Sequence, residues 1–307
     1  MPRCARIRIL DGIYHVIIKS ISEIILFRDS KDKEMYLLKL KKYQDIFMFK
    51  VYGFCLMSNH AHFIVDSNGA DISSFMKSVN QSYAAYYNSR YNRHGHLFQD
   101  RFKSKVVSDY KYLINLSLYI HNNPKDMREF SNSIEKYRFS SLGVYLGIRK
   151  DKHNILDLSF ILGKLDVNTK LSMKAYGRLI FKDKDKELKI IEDGELLNLA
   201  SEYKSGRKIL LRNLDVAKIY NLLSVQIEKT FNPNVKFNHK NIEVKSICVV
   251  LMRSLCNLKL KEICDIIGNV TLSNIWRLCE KGLELISSNP KYRELVDSLI
   301  LQGQVAV

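Results

Sequence analysis

Strand-like and helix-like periodicities alternate along the first 124 residues in an order that leaves few architectures open. Residues 12–20 (GIYHVIIKS) alternate and are β-rich, which predicts a strand. Residues 30–44 carry Met35, Leu38 and Tyr43 at helical spacing behind Ser30, a good N-cap. Two strands, 46–57 and 61–66, are expected on either side of a turn at Ser58-Asn59. A long helix over 72–91 places Phe75, Val79, Tyr83 and Tyr86/Tyr87 on one side. After the loop NRHGHLFQDRFKS come a short strand near 105–107 and a helix over 109–122. That helix stops at Pro124, because the residue before a proline avoids the α region. The order β-α-β-β-α-β-α predicts a compact α+β domain on an antiparallel sheet.

Beyond a polar stretch at 148–155 (IRKDKHNI), read as a linker, the strand signal largely disappears. Helical spacing covers 156–206, interrupted by the charge run FKDKDKELK, and returns over 209–230, 242–257, 260–267 and 271–285. The expected organisation is a first domain over 1–147, a linker over 148–155, a helical connecting region over 156–240 and a helical domain over 241–307. No internal repeat or low-complexity tract occurs.

Charge narrows the partner. The chain has 307 residues with 49 Lys and Arg against 32 Asp and Glu, a formal +17. Residues 1–150 hold 24 of the bases and 13 of the acids, so most of the excess sits there. Such a field suits a polyanion. No stretch is apolar over the ~18 residues a membrane span needs, and the N-terminal residues are charged too often for a signal peptide. The expectation is a cytoplasmic protein with no membrane partner, nucleoid-associated when bound to nucleic acid. Six scattered cysteines without a CxxC pair read as small buried residues in a reducing compartment.

Within FCLMSNHAHFIVD, His60 and His62 stand one residue apart, so on a strand their imidazoles share a face. On residues alone the pair reads either as hydrogen-bonded core histidines or as ligands of one divalent ion. In YIHNNP, Tyr119 and Asn123 lie four apart and face the same way near a helix end. A tyrosine hydroxyl attacks a phosphate only if something polarises the target, and a divalent ion can. Tyr110, Tyr112 and Tyr119 read equally well as core aromatics. Arg90, Arg93, Arg101, Lys103 and Lys105 surround a loop rich in Tyr, His and Phe, a pattern in which cations track a backbone and rings stack on unpaired bases. His94 and His96 repeat the HxH spacing around Gly95, but in a loop, where a second metal site is not expected.

Four phrases in order, YGFCLMSNHAHFIV, SYAAYYNSRYNRHGHLFQDRFKS, YLINLSLYIHNNP and YRFSSLGVYLG, make residues 5–147 resemble the REP-associated, insertion-sequence-200-like tyrosine transposases of the single-tyrosine HUH nuclease superfamily. The resemblance implies a ferredoxin-like antiparallel sheet with helices. It implies Mg2+ or Mn2+ on His60, His62 and Asn123, with Asn122 and His121 as neighbours able to replace Asn123. It also implies Tyr119 as the nucleophile, cleaving and rejoining single-stranded, hairpin-containing DNA through a 5′-phosphotyrosine. Monomer and helix-exchanged homodimer both fit the family.

The stretch VKSICVVLMRSLCNLKLKEICDIIGNVTLSNIWRLCEKGLEL resembles, more weakly, the DNA-binding domain of the replication initiator DnaA. The resemblance implies an all-α region with a helix-turn-helix in which Ser273, Asn274 and Arg277 face a groove of duplex DNA. Trp276 reads as core. Two alternatives remain: a non-catalytic regulator that reads duplex DNA, and a metallohydrolase that uses water. No Walker-type phosphate loop is present, so a helicase-bearing replication initiator is not expected.

Overall fold

The computed structural model describes residues 9, 11–182, 208–227 and 239–306. They fall into two compact units. The first takes residues up to 44, 49–67 and, among the described residues, 75–182; the second takes 45–48, 68–74 and the described chain from Lys208.

In the first unit the strands are β1 (Ile13–Lys19), β2 (Lys50–Leu56), β3 (His60–Asp66) and β4 (Lys103–Val106). They form one antiparallel sheet in the order β2-β3-β1-β4. Helix α1 (Ser30–Phe47) connects β1 to β2, and α2 (Ile72–Arg90) connects β3 to β4. This is the split arrangement of ferredoxin-like domains, and the fold is α+β as expected. Helix α1 runs beyond its predicted end at 44, and Met48, at φ 52°, reverses the chain before β2 begins at Lys50.

The central strands are buried on both faces, which is why IYHVIIK and HAHFIVD read as almost continuous apolar runs. One face of β3 meets α1 and α2: Tyr36 stacks on Phe63 with ring centroids 5.6 Å apart, and Tyr83 meets Tyr36 edge-on at 5.1 Å. The other face carries His60, His62, Ile64 and Asp66 by alternation. Ile17 lies opposite His62, His15 opposite Lys105 and Ile17 opposite Lys103, so His15, Lys103 and Lys105 share that second face.

Helix α3 (Tyr110–Asn122) covers it. Asp109 caps the helix by accepting from the Tyr112 amide at 2.7 Å. A 3-10 turn over Asn123–Asp126 follows, with Pro124 inside it. Short α4 (Leu142–Tyr145) and α5 (Ser159–Leu162) lead to α6 (Thr169–Lys182), which packs on α3. Residues 148–155, expected as a linker, are fastened instead: Asp151 accepts from the Ile155 and Leu156 amides at 2.6 and 2.7 Å, and Ile155 is buried. The helix expected through 206 is described only as far as Lys182.

In the second unit β5 (Lys208–Leu210) pairs with β6 (Gln304–Ala306). The predicted helix over 209–230 therefore begins as strand and, among the described residues, is helical as α7 (Val216–Ile227). Helix α8 (His239–Leu255) buries Ile247 through Met252 without a break, the mark of a helix enclosed on all sides. Helices α9 (Leu260–Ile267), α10 (Leu272–Ser288) and α11 (Pro290–Gly303) complete the unit. Where α10 crosses α8, a Cβ on Gly282 would collide with the Ser246 carbonyl, so the close approach needs glycine. Arg212 is buried and donates to the carbonyls of Phe47, Asn68 and Ser254, and burial lowers its pKa to about 9.

Candidate active site

The second face of the sheet and the end of α3 gather four of the residues singled out from sequence, and one that was not. His60 and His62 sit side by side on β3 with ring centroids 5.0 Å apart. Tyr119 meets the His62 ring edge-on at 5.7 Å. Asn123, one turn on, donates its amide Nδ2 to the Tyr119 carbonyl at 2.9 Å. Its side chain also hydrogen-bonds that of His60. The end of α3 thus delivers a phenol and an amide oxygen to a histidine pair on the strand beneath.

The unforeseen member is His15 on β1, only 7% exposed, whose Nε2 lies 3.0 Å from His62 Nδ1. The two rings are 22° from coplanar with centroids 5.2 Å apart, so they meet edge to edge. Sequence offered one signal for it: a histidine at an inward position of an apolar strand needs a polar partner. Which strand would supply that partner depended on register.

Burial favours the neutral form of all three imidazoles. It lowers His62 to about 3, helped by His15 and His60, and lowers His15 to about 4, helped by Lys105. His60 is also lowered by burial, against the opposing hydrogen bond to Asn123. Neutral imidazole is the form that offers a lone pair to a cation. Among the described residues no group of three or more His, Cys, Asp or Glu side chains is gathered to hold a metal. The donors here are two imidazoles and an amide oxygen, a set that intermediate and hard divalent ions accept.

The neighbours of Asn123 are committed elsewhere. His121 is fully buried, with Nδ1 2.7 Å from Tyr176 Oη and Nε2 2.7 Å from Ser141 Oγ. Asn122 donates to the Leu118 carbonyl at 3.0 Å. Tyr176 Oη donates to Ser117 Oγ at 2.9 Å, so α6 grips α3 at two points, and the helix cannot rotate without breaking buried hydrogen bonds. Burial pushes the Tyr112 hydroxyl up, and that hydroxyl is buried without a hydrogen-bond partner.

The five cations singled out from sequence are not equivalent. Lys103 and Lys105 are exposed on β4, on the histidine face. Arg101, just before them, is exposed too. Arg93 reaches Asn88 Oδ1 at 3.3 Å. Arg90 is bound to carboxylates: it lies 2.5 Å from Asp32, which is fully buried, and 2.5 Å from Asp29. His94 and His96 are exposed around Gly95, whose φ of 90° marks a turn, and no strand pairs them.

In the second unit α9 and α10 are joined by a turn in which Gly268 and Asn269 take positive φ. Thr271 caps α10 by accepting from the Asn274 amide at 3.2 Å. Ser273, Asn274 and Arg277 are all exposed. Trp276, expected in the core, is 40% exposed beside them: Ile275, Leu278 and Cys279 take the inward positions of α10, and Trp276 falls between them.

The first unit is thus an α+β sheet with a histidine pair facing a helix-borne tyrosine. Residues 9–123 match the model of a family described as IS200-like transposases. The match ends on Asn123. A solved REP-associated tyrosine transposase bound to a REP hairpin is 16% identical, with a TM-score of 0.42, covering 49% of this chain and 89% of that one. No curated protein matches. Among the described residues no helix is long and apolar enough to cross a membrane.

Proposed function

We propose that the first unit is a divalent-metal-dependent, single-tyrosine transesterase that cuts and rejoins single-stranded DNA, with hairpin-bearing strands as its substrate. The observation that carries this reading is the convergence of Tyr119 and Asn123 on the His60–His62 pair. His60, His62 and Asn123 would hold Mg2+ or Mn2+. Such an ion, when bound, polarises a phosphoryl oxygen and offsets developing charge.

Tyr119 Oη attacks phosphorus in line. The Oη–P bond forms as the P–O3′ bond breaks, and the departing oxygen takes a proton to become a free 3′-OH. The DNA 5′ end stays on Tyr119 as a phosphodiester, so a second 3′-OH reverses the step without an external energy source. An unpaired strand is required because the phenol must reach phosphorus along the line of the leaving oxygen. Exposed Lys103 and Lys105 on the histidine face, with Arg101 beside them, suit the flanking phosphates. Arg90, held by two carboxylates, is the cation of the set least suited to that task. In the second unit the exposed Ser273, Asn274, Arg277 and Trp276 at the start of α10 favour a duplex contact by that helix.

The test is incubation of the whole chain with labelled single-stranded DNA and Mn2+ or Mg2+, followed by denaturing electrophoresis. A protein–DNA adduct lost in Tyr119→Phe, and in the His60→Ala, His62→Ala double variant, is the expected result. Cleavage with no adduct would replace the tyrosine mechanism with a water-using one. Binding without cleavage would favour the regulator.

A further inference from the structure

A 3.0 Å contact between His15 Nε2 and His62 Nδ1 holds one proton between two nitrogens, since two protons would clash and none would repel. The contact occupies Nδ1 of His62, leaving Nε2 as the only nitrogen of that ring able to offer a lone pair to a cation. Nε2 has that lone pair only in the tautomer whose proton is on Nδ1. In that tautomer His62 donates and His15 accepts.

We propose that His15 is a positioning residue of the metal site: its Nε2 accepts the Nδ1–H of His62 and fixes the ring and tautomer in which His62 Nε2 is presented for coordination. This rests on the reading of His60, His62 and Asn123 as metal ligands. The strand register builds the arrangement. Ile17 stands opposite His62, so His15, two residues earlier, occupies the diagonal neighbour position on the same face. The rings lie 22° from coplanar and meet edge to edge, so the donor and acceptor nitrogens face each other. His15 also meets the Tyr119 ring edge-on at 6.5 Å, so one side chain supports both the ligand and the phenol. Ligand histidines elsewhere hand their second nitrogen to a carboxylate or carbonyl; here an imidazole takes that place.

The test compares His15→Phe, which keeps the ring and loses the acceptor, with His15→Gln, whose amide oxygen can accept. Nitrogen-15 NMR of the metal-free chain reads the His62 tautomer without any need for activity. We expect the Nδ1–H form in the wild type and in His15→Gln, and a shift to mixed tautomers in His15→Phe. Titration with Mn2+ should show about 10- to 100-fold weaker binding in His15→Phe and recovery in His15→Gln. Circular dichroism checks that each variant folds. An Nε2–H tautomer in the wild type, or unchanged Mn2+ affinity in a folded His15→Phe, overturns the proposal. So does a metal-coordinated nitrogen, counted by pulsed EPR of the Mn2+ form, that disappears in His15→Gln, because His15 would then be a ligand itself. A wild type with the expected tautomer but no Mn2+ binding would overturn the metal-centre reading and leave the His15–His62 pairing standing, so the two failures are told apart.

Discussion

His60 and His62 have the same spacing as His94 and His96, and the two pairs have opposite fates. On β3 the backbone alternates, neighbouring strands fix the register, and α3 closes over the rings, so both imidazoles lie side by side on one face. In the loop after α2 the same spacing flanks a glycine at positive φ, and both rings face solvent. The comparison teaches that HxH describes a site only where a strand turns sequence spacing into spatial spacing.

The sharpest way to break that comparison is by double replacement of each pair. His60→Ala, His62→Ala should lower adduct formation on the order of a thousandfold, since several kcal/mol of transition-state stabilisation go with the ion. His94→Ala, His96→Ala should leave it within about twofold. Equal losses in the two would mean that the strand geometry confers nothing.

Buried histidines should also set how the first unit responds to acid. His121, His62 and His15 have folded-state pKa values of about 3, 3 and 4, below the ordinary 6.5, because burial disfavours their charged forms. The unfolded chain therefore takes up protons first. Stability is complete above about pH 6.5 and falls as pH drops towards 3, with a slope approaching about 1.4 kcal/mol per pH unit for each such histidine. Urea denaturation at pH 7.5, 6 and 5 measures it. His121→Gln should be less stable at pH 7.5 and should flatten the dependence by one histidine's share; an unchanged slope would remove His121 from the account.

Cations divide in the same manner. Replacing Lys103 and Lys105 together by Ala should reduce the salt dependence of single-strand binding by about 0.7 per lost phosphate contact, with little change in melting temperature. Arg90→Ala should do the reverse, lowering the melting temperature because buried Asp32 loses its cation, while the salt slope changes less. Arg277→Ala, the smallest effect, should weaken duplex binding by an increment visible only at low salt and leave adduct formation unaltered. An adduct that depends on Arg277 would tie the second unit to the chemistry.

Much of this was readable in the sequence because the relevant periodicities are local. The strands, α1, α2 and α3, and the shared face of His60 and His62, follow from spacings of two and of three to four. What escaped depended on long-range register. His15 joins the site only because Ile17 stands opposite His62, and β5 forms only because β6 lies almost a hundred residues later. Trp276 was misplaced because aromatic character outweighed its position between the inward residues of α10. Arg90 looked like one more cation of a basic loop; its two carboxylate partners lie about sixty residues earlier.

Strand β4 lies at the margin of the sheet, four residues long and paired on one side to β1, with lysine at two of its four positions. An unpaired strand margin is a template for adding a foreign strand, and the usual protection is brevity and charge. Lysines in that position would therefore also keep identical chains from zipping together through their sheets. Neutralising them should cost solubility at high protein concentration even in a solution without DNA, so a DNA-binding defect in such a variant needs a sedimentation control before it is ascribed to lost phosphate contacts.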